Sequence, residues 1–119
     1  MKKDNIIKDK SFAFALRVIK MYQYLCKEKK EFVLSKQLLR SGTAIGALIR
    51  EAEQAESKAD FIHKLAISLK EANETNYWID LLFQSNYLPE NTYHSINQDI
   101  IELNKLLSAI IIATKKNLK

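Results

Sequence analysis

The sequence predicts an all-α protein, an antiparallel up-down-up-down four-helix bundle, on three observations. Apolar side chains recur at alternating spacings of four and three through most of the chain, the period that keeps one stripe of a helix against a partner. Only two glycines and one proline interrupt 119 residues, of which 47% are apolar, a balance that favours helices over a turn-rich β fold. The polar breaks are short, so each helix is expected to return antiparallel beside the last. One domain over residues 1–119 is expected, with helices at about 5–29, 34–56, 58–85 and 89–116 and a modest core.

The first predicted helix, 5–29, carries two apolar stripes. Phe12, Ala15, Leu16, Ile19, Tyr22 and Cys26 make one, and Phe14, Val18, Met21 and Leu25 make the other. A bundle helix facing only its own core needs one, so the other is expected to meet a second chain or to be very deeply buried. The KEKKE run from Lys27 to Glu31 reads as a solvated polar turn. Cys26 is the only cysteine and has no His or Cys near it in sequence, which suits a small core residue better than a nucleophile.

In the second helix, 34–56, the seam is Leu34, Leu38, Ser41, Ile45, Leu48, Ala52 and Ala55. Gly42 and Gly46, four apart, share one face, and each costs roughly 1 kcal/mol against alanine in a helix interior. Close approach of a neighbouring helix is the expected compensation, with the small residues Ser68, Ala72 and Thr75 of the third helix set opposite. A phosphate-binding glycine loop would need a strand before it and GK[ST] after it, and neither is present.

The third helix, 58–85, opens with Ser57 and Asp60 at capping-box spacing. Its seam is Phe61, Leu65, Ser68, Ala72, Thr75, Ile79 and Leu82. Ser85 and Asn86 followed by Pro89 then signal a stop and a new start. The fourth helix, 89–116, repeats the seam in Tyr93, Ile96, Ile100, Leu103, Leu107 and Ile110. Five consecutive apolar residues from Ala109 to Ala113 must cover more than half of its circumference. One side is expected in the core and another, at Ile111 or Ile112, against a partner.

With this topology both termini and the joint at Ser57 fall at one end of the bundle. Lys2, Lys3, Lys8, Lys10, Arg50, Lys58, Lys64, Lys115, Lys116 and Lys119 gather there against Asp4, Asp9, Glu51, Glu53, Glu56 and Asp60. A net charge of +5 and a pI near 9.3 suit attraction of a polyanion, multiplied in a ring of subunits. The same charge equally suits lysine-rich tails that keep the protein soluble and favour helix C-termini.

Catalytic, metal-binding and cofactor-binding residues are not expected. Of a di-metal bundle site only Asp60-Phe61-Ile62-His63 approximates one element, and His63 and His94 lack partners at ligand spacing. Glu71 and Glu74 sit one turn apart with Glu51 on the preceding helix, an arrangement able to hold magnesium. Arg40, Lys70 and Arg50 are available to neutralise them, and a structural ion-pair network is the favoured expectation. No run of about 18 apolar residues could span a bilayer, and MKKDNIIKDK lacks the apolar stretch of a secretion signal. A cytoplasmic protein without a membrane partner is therefore expected.

The stretch LSKQLLRSGTAIGALIREAEQAESKADFIHKLAISLKEANETNYWIDLL, with SFAFALRVIKMYQYL before it and LLSAIIIATKK after it, resembles the four-helix bundle proteins named for intervening sequences in bacterial 23S ribosomal RNA genes. The likeness covers roughly residues 11–112. Gln37-Leu38-x-x-Ser41-Gly42, Ile45-Gly46-Ala47, Glu51-Ala52 and Ser68-x-x-Glu71 carry it, and they are packing signatures, not catalytic ones. Leu48 stands where that family usually has asparagine. The resemblance implies a homo-oligomer, a pentameric ring, as in the similar accessory proteins of diversity-generating retroelements, which bind nucleic acid and a reverse transcriptase through a basic surface.

The expected function is thus a non-enzymatic oligomeric bundle that binds nucleic acid, RNA before DNA, electrostatically. Lys8, Lys10, Arg17, Arg50, Lys58, Lys64, Lys115 and Lys116 are the candidate phosphate contacts. The alternative is a protein-protein interaction scaffold that binds no nucleic acid.

Overall fold

The computed structural model describes residues 2–117, and the side chains of 6–117. Four helices make it up: α1 (Lys2–Lys27), α2 (Leu34–Glu53), α3 (Lys58–Gln84) and α4 (Glu90–Lys116). Their bounds fall within three residues of those expected. The helices stand antiparallel in a rod of 50 × 21 × 20 Å. Each packs on its neighbours in sequence and α4 closes the ring on α1. No helix of the described residues is long and apolar enough to cross a membrane.

Of the two stripes on α1, the second is the core stripe. Ile7, Phe14, Val18, Met21 and Leu25 are buried with Ser11, while Phe12 and Leu16 are each 50% exposed and Ile19 is 37% exposed. The choice follows from the glycines. A Cβ built on Gly42 would stand 2.9 Å from both Val18 methyls, and one on Gly46 would stand 3.3 Å from the Ser11 hydroxyl. The glycines therefore face α1, not the small residues of α3 as expected, and they let α1 approach with Val18 and Ser11 foremost. On α2 the buried stripe is Ser35, Leu38, Ser41, Gly42, Ile45, Ile49 and Ala52. It departs from the expected seam by one residue at two places, Ser35 for Leu34 and Ile49 for Leu48, and Ala55 lies beyond the end of α2 and is half-buried.

The α2–α3 contact is tied by buried hydroxyls. Ser68 donates to the Ile45 carbonyl at 2.9 Å, and the Thr75 and Ser41 hydroxyls lie 2.9 Å apart. Small polar side chains thus pack closely and still find partners, as burial demands. The expected seams of α3 and α4 are buried from Leu65 to Leu82 and from Ile96 to Ile110, while their first members, Phe61 and Tyr93, are half-buried.

The turns have local causes. Ser57 accepts the Asp60 N–H at 3.0 Å and caps α3. Asn86 adopts a φ of 70°. The Tyr87 N–H reaches back to the Leu82 carbonyl and the Asn86 N–H to that of Phe83, the paired bonds that end a helix in a left-handed residue. Pro89 then caps α4 with a φ of −62°, one residue before the helix proper. Phe83 stacks on Tyr93 across this turn, centroids 4.0 Å apart.

Three expectations need correction. Glu31 is not a solvated turn residue: it is 8% exposed, and its carboxylate accepts the backbone N–H groups of Val33, Leu34 and Ser35 at 3.1, 2.9 and 2.7 Å. These are orphan donors of the first turn of α2, which a carboxylate satisfies well. Ile111 is not a surface residue but is buried at 8% exposure, whereas Ile112 is 56% exposed. Cys26 is half-buried at the end of α1, not in the core, with Sγ 3.8 Å from the Ser35 hydroxyl.

Helix–helix contact is sparsest along the α1–α4 seam. Two clefts open along it, one of about 330 Å³ beside Arg17, Met21 and Ile96 and one of about 130 Å³ beside Phe14 and Leu103. Ion pairs bridge it at the surface, Arg17 to Asp99 and Lys10 to Glu102, the latter at 3.2 Å.

Candidate nucleic-acid interface

The eight expected phosphate contacts divide by partner. Lys8 pairs with Glu53, Lys10 with Glu102 and Lys64 with Glu51, each at 3.2 Å. Arg17 lies mid-helix on the α1–α4 seam, bonded to Asp99 and to the Ser95 hydroxyl at 2.8 Å. It is therefore remote from the terminal end. Arg50, Lys58, Lys115 and Lys116 have no acidic partner among the described residues.

Those four stand at the end where α2 meets α3 and α4 finishes. Lys58 reaches the Asn117 carbonyl at 3.5 Å, and Lys115 and Lys116 occupy the last turn of α4. Arg50 lies 5.0 Å over the ring of Phe12, a cation–π contact that leaves its N–H groups open. The side chains of Lys2, Lys3 and Asp4, and all of Lys119, lie outside the described residues. Glu56 and Asp60 share this end, but the Asp60 carboxylate accepts the Glu56 N–H at 3.3 Å.

Beside Arg50, a groove of about 270 Å³ runs between α1 and α2, walled by Phe12 and Ile19 and floored by Thr43, Gly46 and Ala47. The exposed α1 stripe forms its outer edge. Between α2 and α3 Arg40 bridges Glu71 at 3.3 Å and Glu74, and Glu74 also accepts the Trp78 indole N–H at 2.9 Å. The Glu71–Glu74 pair thus belongs to an ion-pair network, with Arg40 as its cation, while Glu51 is neutralised by Lys64 and not by Arg50. No group of three or more His, Cys, Asp or Glu able to hold a metal occurs among the described residues. His63 and His94 are exposed.

The model of the family described as 23S rRNA-intervening sequence protein matches residues 3–109. The chain belongs to this family. A 23S rRNA-intervening sequence protein is what the quoted packing signatures of α2 and α3 had suggested. Among solved structures, the chain is similar to a protein of unknown function from the S23 ribosomal protein family of Bacteroides thetaiotaomicron VPI-5482. The two are 61% identical with a TM-score of 0.90, over 92% of this chain and 97% of that one. No curated protein matches the chain. Neither comparison indicates an enzymatic family.

Two features, one on this surface and one at the other end of the rod, are not evident in the sequence. Spacing puts Phe12 on a stripe but not beside Arg50, because that contact needs the α1–α2 register that Gly42 and Gly46 set. The α1–α2 loop presents Phe32 and Val33 at 56% and 71% exposure, a consequence of burying Glu31 that a KEKKE run does not announce.

Proposed function

We propose that this member of the 23S rRNA-intervening sequence protein family is a non-enzymatic bundle that self-associates and binds RNA electrostatically. The observation that carries it is the set of cations without acidic partners among the described residues at one end, Arg50, Lys58, Lys115 and Lys116, next to an uncovered apolar stripe, Phe12, Leu16 and Ile19. Phosphates take such cations with release of counterions. Copies meeting through the stripe would bring several sets together and multiply the field. The likeness to the accessory proteins of diversity-generating retroelements supports a ring of five and a protein partner, a reverse transcriptase or another protein. Lys8, Lys10 and Lys64 join the surface at little cost, since exposed ion pairs contribute only about 0–1 kcal/mol. Arg17 joins only by leaving Asp99 and Ser95.

The name of the family points to ribosomal RNA genes, which makes RNA the first polyanion to try. Binding of a labelled RNA should weaken steeply between low and physiological salt, and reversal of Arg50, Lys58, Lys115 and Lys116 to Glu should weaken it sharply. Failure of both RNA and DNA to bind at low salt would exclude the proposal. Retention of a protein partner by the reversed variant would instead support the second reading, a protein-protein scaffold, which the exposed α1 stripe favours.

A further inference from the structure

We infer that the α1–α2 loop is a second nucleic-acid contact, specific for single strands, in which Phe32 stacks on an unpaired base and Lys27, Lys29, Lys30 and Lys36 hold the flanking phosphates. It rests on the RNA-binding proposal but lies at the opposite end of the rod, on residues outside that surface.

Phe32 and Val33 are adjacent, and both are more than half exposed. Their exposure is built in. The Glu31 carboxylate takes the N–H groups of the next residues but one, two and three, Val33 to Ser35. The Glu31 N–H is held by the Leu25 carbonyl at 3.0 Å, and Lys30 sits in the left-handed region at a φ of 54°. With the backbone tied on both sides of Glu31, Phe32 has no path into the core. An aromatic ring kept outside on a fixed turn is preorganised for contact.

The charge around it is one-sided. Residues 27–36 hold four lysines and two glutamates, and the carboxylate of Glu31 is occupied by backbone N–H groups, so Glu28 alone opposes the lysines within the segment. None of the four lysines is in an ion pair among the described residues. Lys29 lies 6.0 Å over the Tyr24 ring, which leaves its ammonium free to donate. Cations flank the aromatic ring along the chain, the combination of positive charge and a stacking ring that takes single strands. A duplex keeps its base faces stacked inside and offers Phe32 nothing. A bilayer is the competing anionic surface, but two apolar side chains are a small anchor for it.

The test uses the full chain, with fluorescence anisotropy on a labelled single-stranded oligouridine and on an RNA duplex of equal length at low salt. The single strand should bind more tightly. Phe32→Ala should weaken it about tenfold and leave the duplex unchanged, in line with loss of one base stack. Replacing the four lysines by Gln should lower the slope of log affinity against log salt by about 3. Circular dichroism checks the fold, which an exposed Phe does not support. Equal binding of strand and duplex, or an unchanged affinity in Phe32→Ala, overturns the inference. So does Phe32-dependent capture by phosphatidylserine vesicles with RNA binding intact in that variant. If the reversed Arg50, Lys58, Lys115, Lys116 variant loses all RNA while Phe32→Ala binds like the parent, the terminal surface stands and the loop contact falls. If the parent binds no RNA at all, both fall.

Discussion

Gly42 of α2 lies against Val18 of α1 so closely that a Cβ on the glycine would stand 2.9 Å from both valine methyls. Valine is stiff at χ1, and Val18 is fully buried, so it cannot swing clear. Gly42→Ala should therefore lose stability, by about 1–2 kcal/mol, overpacking outweighing the roughly 1 kcal/mol gained in helix propensity. Gly46→Ala is the contrast. Its Cβ would meet only the Ser11 hydroxyl at 3.3 Å, with backbone at 3.5 Å or beyond, and stability should stay within about 1 kcal/mol of the parent. Urea denaturation of the two variants measures both effects, and equal losses would show that the glycines are not there for closeness to α1.

Adjacent isoleucines on α4 should behave oppositely. Ile111 is 8% exposed and Ile112 is 56% exposed. Truncation of Ile111 to Ala should cost about 2–4 kcal/mol through lost burial and a residual cavity. The same change at Ile112 should fall within about 0.5 kcal/mol. Thermal melts of the pair decide it.

Burial alone would raise the pKa of Glu31, but hydrogen bonds from Leu34, Ser35 and Val33 overcome it and hold the carboxyl below its ordinary value of 4.5. The folded state therefore binds this proton less readily than the unfolded one. Its contribution is present above pH 4.5 and is lost as pH falls through the lowered folded value. Glu31→Ala should destabilise by about 1–2 kcal/mol at pH 7, as loss of a helix cap does. The gap between parent and variant should shrink below pH 4.5, which denaturation at pH 7 and pH 3 will show.

The outer stripe of α1 offers a test of self-association separate from folding. Phe12 and Leu16 are half exposed, so Phe12→Glu with Leu16→Glu should shift stability by no more than about 1 kcal/mol. Sedimentation should find the double variant reduced to single subunits where the parent assembles. A parent that sediments as a monomer would remove the stripe as an interface.

Much of the fold could be read from the chain because α3, and α4 as far as the apolar run at Ala109, each repeat one regular seam. Leu65 to Leu82 and Ile96 to Ile110 had no rival to confuse them. On α1 the two stripes are equally apolar. Only the three-dimensional fit of Val18 and Ser11 to glycines two dozen or more residues away separates them. On α2, Leu48 and Ile49 compete as neighbours, and a spacing rule cannot choose between adjacent isomers. Glu31 was opaque for a different reason. A carboxylate in a lysine-rich run is ordinarily hydrated, and nothing local reveals that three following N–H groups lack other partners. For the cations, the sequence supplied charge but not pairing, so Lys8, Lys10, Arg17 and Lys64 were indistinguishable from Arg50 and Lys58.

The closure of α4 on α1, with its two clefts and its exposed bridges from Lys10 and Arg17, makes the molecule a book whose spine is the hydroxyl-tied α2–α3 pair. Its covers part along that edge first, where contact between helices is sparsest. Amide exchange should then quicken in the outer covers while the spine stays shut.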